Sequence, residues 1–169
     1  DLSKIEAGKM ELFVEEFEYE NLLKQIEATA KPLVEKNGNK LIITSKINNL
    51  NLKNDQTKVR QILFNMLSNA AKFTDKGTVT LAVKLENKNI RFDIIDTGIG
   101  MNKKQLDKVF EEFTQAETST SKKYGGTGLG LPISKKMTEM MGGHIDVKSE
   151  KGKGTTFSII IPIAVEDKE

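Results

Sequence analysis

Apolar positions recur along this chain in two rhythms, one helical and one extended. Val59, Ile62, Leu63, Met66, Leu67 and Ala70 fall at spacings of three and four, the single apolar face of an amphipathic helix. Asp55, just ahead of them, is the expected N-cap. A second helical period covers residues 21–36, with Leu22, Leu23, Ile26, Ala30 and Leu33 on one side and Pro32 inside it, where a kink or a split is expected. A third is opened by the run Gly126–Leu131, with Pro132 suited to its first turn. Its expected buried face is Ile133, Met137, Met140 and Met141, and Gly142-Gly143 stops it. A short charged helix is predicted over 103–113. The period of two appears at Val79, Leu81, Val83 and Leu85, a half-buried strand over 78–85. It returns over 90–95 after a loop at 86–89. Further strands are predicted over 10–17, 41–47, 144–148 and 155–163, the last two joined around Lys151-Gly-Lys-Gly154. Residues 48–54 form a short edge strand or a loop. This order predicts an α/β (α+β) two-layer sandwich, with one mixed, mostly antiparallel sheet and helices on one face.

Charge and composition narrow the function classes. Lys and Arg number 26 against 24 Asp and Glu, a net +2, so neither a nucleic-acid nor a membrane surface is implied. The chain has no cysteine, which excludes disulfides and thiolate chemistry and fits a reducing, cytoplasmic setting. No run is long and apolar enough to cross a bilayer. Residues 1–8 read as the last turns of a helix ended by Gly8, and the first residue is Asp1 rather than Met. The expectation is a segment of a longer parent, with or without a membrane anchor: residues 1–9 end a preceding helix and linker, 10–163 form one domain, and 164–169 are a polar linker.

Three clusters carry candidate chemistry. On the helix of residues 60–74, Asn65, Asn69 and Lys72 lie within roughly 60° of one another at about 100° per residue. Asn disfavours helix interiors because its amide competes for backbone hydrogen bonds. Amide oxygens suit a hard cation such as Mg²⁺, and a nearby lysine suits phosphate. A solvated helix edge is the plainer alternative. The second cluster is Asp96-Thr-Gly-Ile-Gly100, where a carboxylate ends an apolar strand. It can accept a hydrogen bond from an amino group, and the glycines let a flat ring approach the backbone. The third, Gly126-Thr-Gly-Leu-Gly130-Leu131, opens a helix whose free N–H groups and dipole favour phosphate. It lacks the Lys-Ser or Lys-Thr of a P-loop, and no strand precedes it as a dinucleotide-binding turn requires.

Taken in order, Asn65-x-x-x-Asn69-Ala70-x-Lys72-Phe73-Thr74, Asp96-x-Gly98-x-Gly100, Phe110-x-x-Phe113 and Gly126-x-Gly128-x-Gly130-Leu131 resemble the catalytic ATP-binding domain of sensor histidine kinases, in the GHKL or Bergerat ATPase superfamily. The resemblance spans about residues 10–163. Residues 1–9 are similar to the end of the helix of the preceding dimerisation and phosphoacceptor domain. Thr120-Ser-Lys-Lys-Tyr-Gly-Gly126 is most similar to hybrid kinases, which carry a receiver domain.

The resemblance implies ATP and Mg²⁺ as ligands. It makes Asn69 the metal ligand, with Asn65 a second ligand or a holder of water and phosphate. Asn65 and Lys72 are the catalytic candidates. Lys72 and Phe73 would line the phosphates and the nucleotide's edge. Asp96 would take the adenine amino group, Gly98 and Gly100 would form the floor, and Ile99 and Met101 the lining. Gly126, Thr127, Gly128, Leu129, Gly130 and Leu131 would wrap the triphosphate. Either Thr155 or Thr156 would back the adenine through water. Lys122 and Lys123, in a lid over 114–126 expected to be mobile without nucleotide, either reach the phosphates or remain solvated, and Phe110 and Phe113 would anchor that lid. The implied partners are a phosphoacceptor histidine domain and a response-regulator receiver, with no nucleic acid, in a monomeric segment of a dimeric parent. One departure stands out. The family phosphorylates a histidine of the preceding domain, whereas the one histidine here, His144, matches no catalytic position and is expected to be structural or exposed. Gyrase, MutL and heat-shock chaperones share such a pocket but carry a water-activating Glu where this chain has Asn65. A hydrolase is therefore the second reading, and a non-catalytic nucleotide sensor the third.

Overall fold

The computed structural model describes residues 11–110 and 130–165. In chain order the elements are β1 (Glu15–Glu18), α1 (Tyr19–Glu35), β2 (Lys40–Ser45), β3 (Asn51–Asn54), α2 (Gln56–Lys72), β4 (Thr78–Glu86), β5 (Asn89–Asp96), α3 (Lys103–Lys108), α4 (Gly130–Met140), β6 (His144–Glu150) and β7 (Gly154–Pro162). Strands β2-β4-β5-β7-β6 form a five-stranded sheet. Only the β2–β4 pair is parallel, the mixed, mostly antiparallel arrangement expected from the hairpins.

The register puts one face of the sheet into the core. Leu81 pairs with Ile94, and Ile94 with Phe157; Val83 pairs with Phe92, and Phe92 with Ile159. All are buried. α1 contacts β2, α2 contacts β4 and β5, and α4 contacts β6 and β7, so the helices form one layer over that face. On the opposite face Arg91 spans Glu86, Asp93 and Ser158 by hydrogen bonds of 3.0–3.2 Å, and Ile95 is exposed. The predicted apolar face of α2 is buried along its whole length.

Several boundaries differ from expectation. β1 covers Glu15–Glu18 alone and pairs with β3 in a separate two-stranded sheet, so the described residues form two sheets rather than one. Met10, Leu12, Val14 and Phe17 do not keep a strict period of two, and the paired segment is correspondingly short. α1 continues through Pro32 to Glu35 without splitting, because the proline lies near the end where few bonds remain to be lost, and Val34 is buried where Leu33 was expected. α3 ends at Lys108. In α4, Ser134 and Thr138 are fully buried while Met140 is half-buried. The helix therefore turns a partly polar face to α2. The expected N-terminal helix end and residues 111–129 lie outside the described residues.

Asp55 does more than cap α2. Its Oδ1 accepts from Lys58 N at 3.0 Å, and its Oδ2 accepts from Lys58 Nζ and from Phe13 N, each at 2.9 Å. Burial alone would raise the Asp55 pKa, but these donors hold it below the ordinary value. Its stabilising effect is thus present above the unfolded-state pKa near 4 and is lost as pH falls through the folded value. Asp55→Ala is expected to cost about 2 kcal/mol at pH 7, and the gap from wild type should narrow below about pH 4. Urea unfolding at several pH values checks both parts.

Candidate functional site

β5 ends at Asp96, and the pairing of that strand sets the carboxylate's surroundings. Asp96 lies between Val79 and Thr155 on the helix-facing side of the sheet and is 7% exposed. Its Oδ1 accepts from Gly98 N at 2.9 Å and from Thr155 N at 3.2 Å. Both backbone donors go to one oxygen, Oδ1. Burial pushes the Asp96 pKa up. The Gly98 and Thr155 amides pull against it, and the buried Thr74 hydroxyl, which lacks a well-formed bond of its own, adds a weaker pull. A half-desolvated carboxylate of this kind favours a donor that supplies hydrogen bonds without water.

The loop after Asp96 is stitched to both neighbours. Ile99 N donates to Phe73 O at 3.1 Å, Gly152 N to Ile99 O at 2.7 Å, and Met101 N to Ser149 Oγ at 2.8 Å. Ser149 Oγ also lies 3.0 Å from Gly154 O and 2.7 Å from Thr155 Oγ1. With its proton given to Gly154 O, it receives the Thr155 hydroxyl. A Cβ at Gly98 would stand 2.1 Å from Phe73 O, so only glycine lets the loop lie against the end of α2. Ile99 is exposed and Met101 packs at the core's margin.

α2 supplies the facing wall. Asn65, Asn69 and Lys72 are all partly exposed along its border, beside the buried Met66 and Ala70. Phe73, the C-cap, donates its N–H to Asn69 O at 3.2 Å and lends its carbonyl to the Asp96 loop. The metal-type stripe and the carboxylate loop are thereby parts of one backbone assembly. Asn39, 4% exposed, completes it: its Nδ2 donates to Thr74 O at 2.8 Å and to Ala71 O at 3.3 Å, and its Oδ1 accepts from Gly77 N at 2.9 Å. These bonds satisfy carbonyls at the end of α2 that lack helical partners. On the other side, Asn65 Nδ2 donates to Ser134 Oγ of α4 at 3.2 Å.

A profile of the histidine kinase-, DNA gyrase B- and HSP90-like ATPases matches residues 54–165, which hold both walls. The chain belongs to this ATPase family. Among curated relatives it is 40% identical to the autoinducer 2 sensor kinase/phosphatase LuxQ of Vibrio parahaemolyticus, over all of this chain and 20% of that protein. It is 42% identical to hybrid signal transduction histidine kinase B of Dictyostelium discoideum, over 98% of this chain and 9% of that protein. The chain thus spans a fifth or less of these relatives. In structure it is similar to full-length ShkA, solved in complex with AMPPNP: TM-score 0.80, 31% identity, 94% of this chain and 33% of that one. The fold is that of histidine kinase catalytic domains.

Within this ATPase fold the sequence-chosen residues separate by place. Asn65, Asn69, Lys72, Phe73, Asp96, Gly98, Gly100, Met101, Gly130 and Thr155 lie on the helices, loop and strand ends that meet around Asp96 and the border of α2. Thr156 does not join them: it pairs with Ile95 on the opposite face of the sheet, since neighbours in a strand point to opposite sides. Phe110 packs edge-on against Phe157 at 6.0 Å, a core contact. Lys122, Lys123, Gly126, Thr127, Gly128, Leu129 and Phe113 lie outside the described residues. Ser134, Ser149, Thr74 and Asn39 support the site and were not selected from sequence; in a single chain, only an unusual polar residue on an apolar helix face hinted at Ser134. Among the described residues no three His, Cys, Asp or Glu side chains converge on a metal position. The donors here are amides. That set fits Mg²⁺, which keeps waters and takes much of its coordination from bound phosphates. No described helix is long and apolar enough to cross a membrane.

Proposed function

We propose that this domain binds ATP with Mg²⁺ and presents the γ-phosphoryl group to a histidine on a separate phosphoacceptor domain, in a two-component relay that ends on a response-regulator receiver. The carrying observation is an amide at residue 65. Asn65 stands on the phosphate wall, bonded to Ser134, where a carboxylate would be needed to activate water. The relatives named as sensor and hybrid kinases support the same reading.

In this reading Asp96 Oδ2 accepts the adenine amino group, and the floor at Gly98 and Gly100 admits the ring. Asn69 and Asn65 turn amide oxygens to the cation and its waters, and Lys72 and Phe73 line the phosphates. Bound Mg²⁺ would neutralise charge on the β- and γ-phosphates. The chain's part in transfer is positioning and electrostatics, with little covalent chemistry. The bond from the γ-phosphorus to its bridging oxygen breaks, with the electron pair staying on ADP. A neutral imidazole nitrogen forms the new bond to phosphorus, and the ring's proton passes to a base on the acceptor domain. His144 cannot serve: it begins β6 on the sheet face opposite the helices, paired with Ile160 at the strand end remote from Thr155, and its side chain is 63% exposed.

Mixing the domain with a separately prepared phosphoacceptor domain and radiolabelled ATP should give labelled phosphohistidine. Steady release of free phosphate with no phosphoprotein would instead support the hydrolase. Asn69→Ala should lower affinity for ATP with Mg²⁺ by about tenfold or more and change binding in EDTA little, as read by calorimetric titration. Equal losses with and without the cation would remove Asn69 from the metal.

A further inference from the structure

Ser134 has a property that packing alone does not require. It lies in the second turn of α4, is fully buried, and takes a hydrogen bond from a residue 69 positions away, the Asn65 Nδ2 of α2 at 3.2 Å. Thr138, one turn on and equally buried, donates its hydroxyl to Ser134 O at 2.7 Å. Two hydroxyls thus lie on the face that α4 turns to α2, where methyl groups would pack as well and avoid burying polar atoms.

We propose that Ser134 is a positioning residue for Asn65, holding its amide so that the carbonyl oxygen serves the metal and phosphates. The bond occupies the NH₂ end of the amide. Oδ1 is then the end turned away from α4, the end that a cation or a metal-held water requires. Residues that orient a metal's ligands set affinity nearly as strongly as the ligands themselves. A Cβ built at Gly130 would stand 3.9 Å from the Asn65 amide carbon, so the first turn of α4 passes close to the same group. The inference rests on Asn65 belonging to the metal-and-phosphate wall, and the experiment separates the two.

The test is a titration of ATP into the domain, with excess Mg²⁺ and again with EDTA, for wild type, Ser134→Ala, Asn65→Ala and the double variant. The quantity read is the gain in affinity that Mg²⁺ provides. Ser134→Ala should reduce that gain about five- to tenfold while shifting metal-free binding by less than about twofold. In the double variant the loss should match that of Asn65→Ala alone, because coupled residues do not add. Ser134→Cys, close to serine in size and a weak acceptor, should show the same cation-specific loss, which covers the case of an alanine variant that does not fold. If Asn65→Ala leaves the Mg²⁺ gain intact, the reading of the wall fails. If Asn65→Ala reduces the gain and the Ser134 variants do not, the wall stands and the positioning role is overturned. Equal weakening with and without Mg²⁺ in the Ser134 variants also overturns it, since that is what a packing role alone would produce.

Discussion

Asp96→Asn is expected to weaken ATP binding by about 2–3 kcal/mol, roughly 30- to 150-fold, while leaving the fold at least as stable at pH 7. The two halves have different causes. An asparagine oxygen can replace Oδ1 and still accept from Gly98 N and Thr155 N, so the loop keeps its shape. The other position changes from acceptor to NH₂, and two amino groups then face each other across the adenine edge. Inosine triphosphate, with an exocyclic carbonyl oxygen where adenine has its amino group, should lose much less, which ties the effect to the base edge. The stability half follows from the raised pKa. The folded state holds the Asp96 proton more tightly than the unfolded chain, with burial as the largest cause. Its contribution is therefore full below the unfolded value near 4 and is lost as pH rises through the folded value. The neutral amide does not titrate, so the variant should gain on wild type between acid and neutral pH. Titration with a fluorescent ATP analogue and melting curves at pH 5 and 7.5 give both numbers. An unchanged ATP affinity would remove Asp96 from the adenine pocket.

The residues that could be read from sequence are those whose type conflicts with their local pattern. Asn65 and Asn69 stand on a helix that otherwise follows its apolar period, and Asp96 ends a strand of Ile and Phe. A misfit of this kind needs no knowledge of what lies opposite. The supporting residues have no such mark, because their roles depend on pairings far apart in the chain. Whether Thr155 or Thr156 faces the site is decided by the β5–β7 register, which a period of two leaves undetermined by one residue. Asn39 reads as part of a turn, and only the return of α2 above it shows which carbonyls it satisfies. The β1–β3 pairing joins segments separated by a helix and a strand, so it was hidden for the same reason. In α4, hydrophobicity favoured Met140, whereas the structure buries Ser134 and Thr138 against α2. Apolar periodicity locates a buried face to within one neighbouring stripe, and here the neighbouring polar stripe is buried as well.

Gly100→Ala is expected to cost about 3 kcal/mol of stability, a fall of roughly 6–12 °C in Tm for a domain of this size, and to lower ATP affinity at least about tenfold. Gly100 has φ +67°, and a Cβ there would stand 2.1 Å from Glu150 O and 3.1 Å from Lys151 Cα. Those atoms belong to backbone at the start of the β6–β7 turn, so neither can swing aside as a side chain would. Relief requires the turn and the Asp96 loop to separate. Separation breaks Gly152 N to Ile99 O and Met101 N to Ser149 Oγ. Ser149 in turn holds Gly154 O and the Thr155 hydroxyl, and Thr155 N helps fix Asp96. The strain is thus delivered along a short hydrogen-bonded path to the Asp96 carboxylate, the proposed reader of the base. Gly152→Ala separates clash from backbone conformation. Gly152 also has positive φ, at +86°, yet nothing lies within 4 Å of its Cβ position. That variant should lose only about 1 kcal/mol and keep ATP affinity within about twofold. Equal effects of the two alanines on nucleotide binding would show that the hairpin contact does not position Asp96. Loss of affinity confined to Gly100→Ala would show that the β6–β7 turn, remote from α2 in the chain, is the outer brace of the adenine pocket.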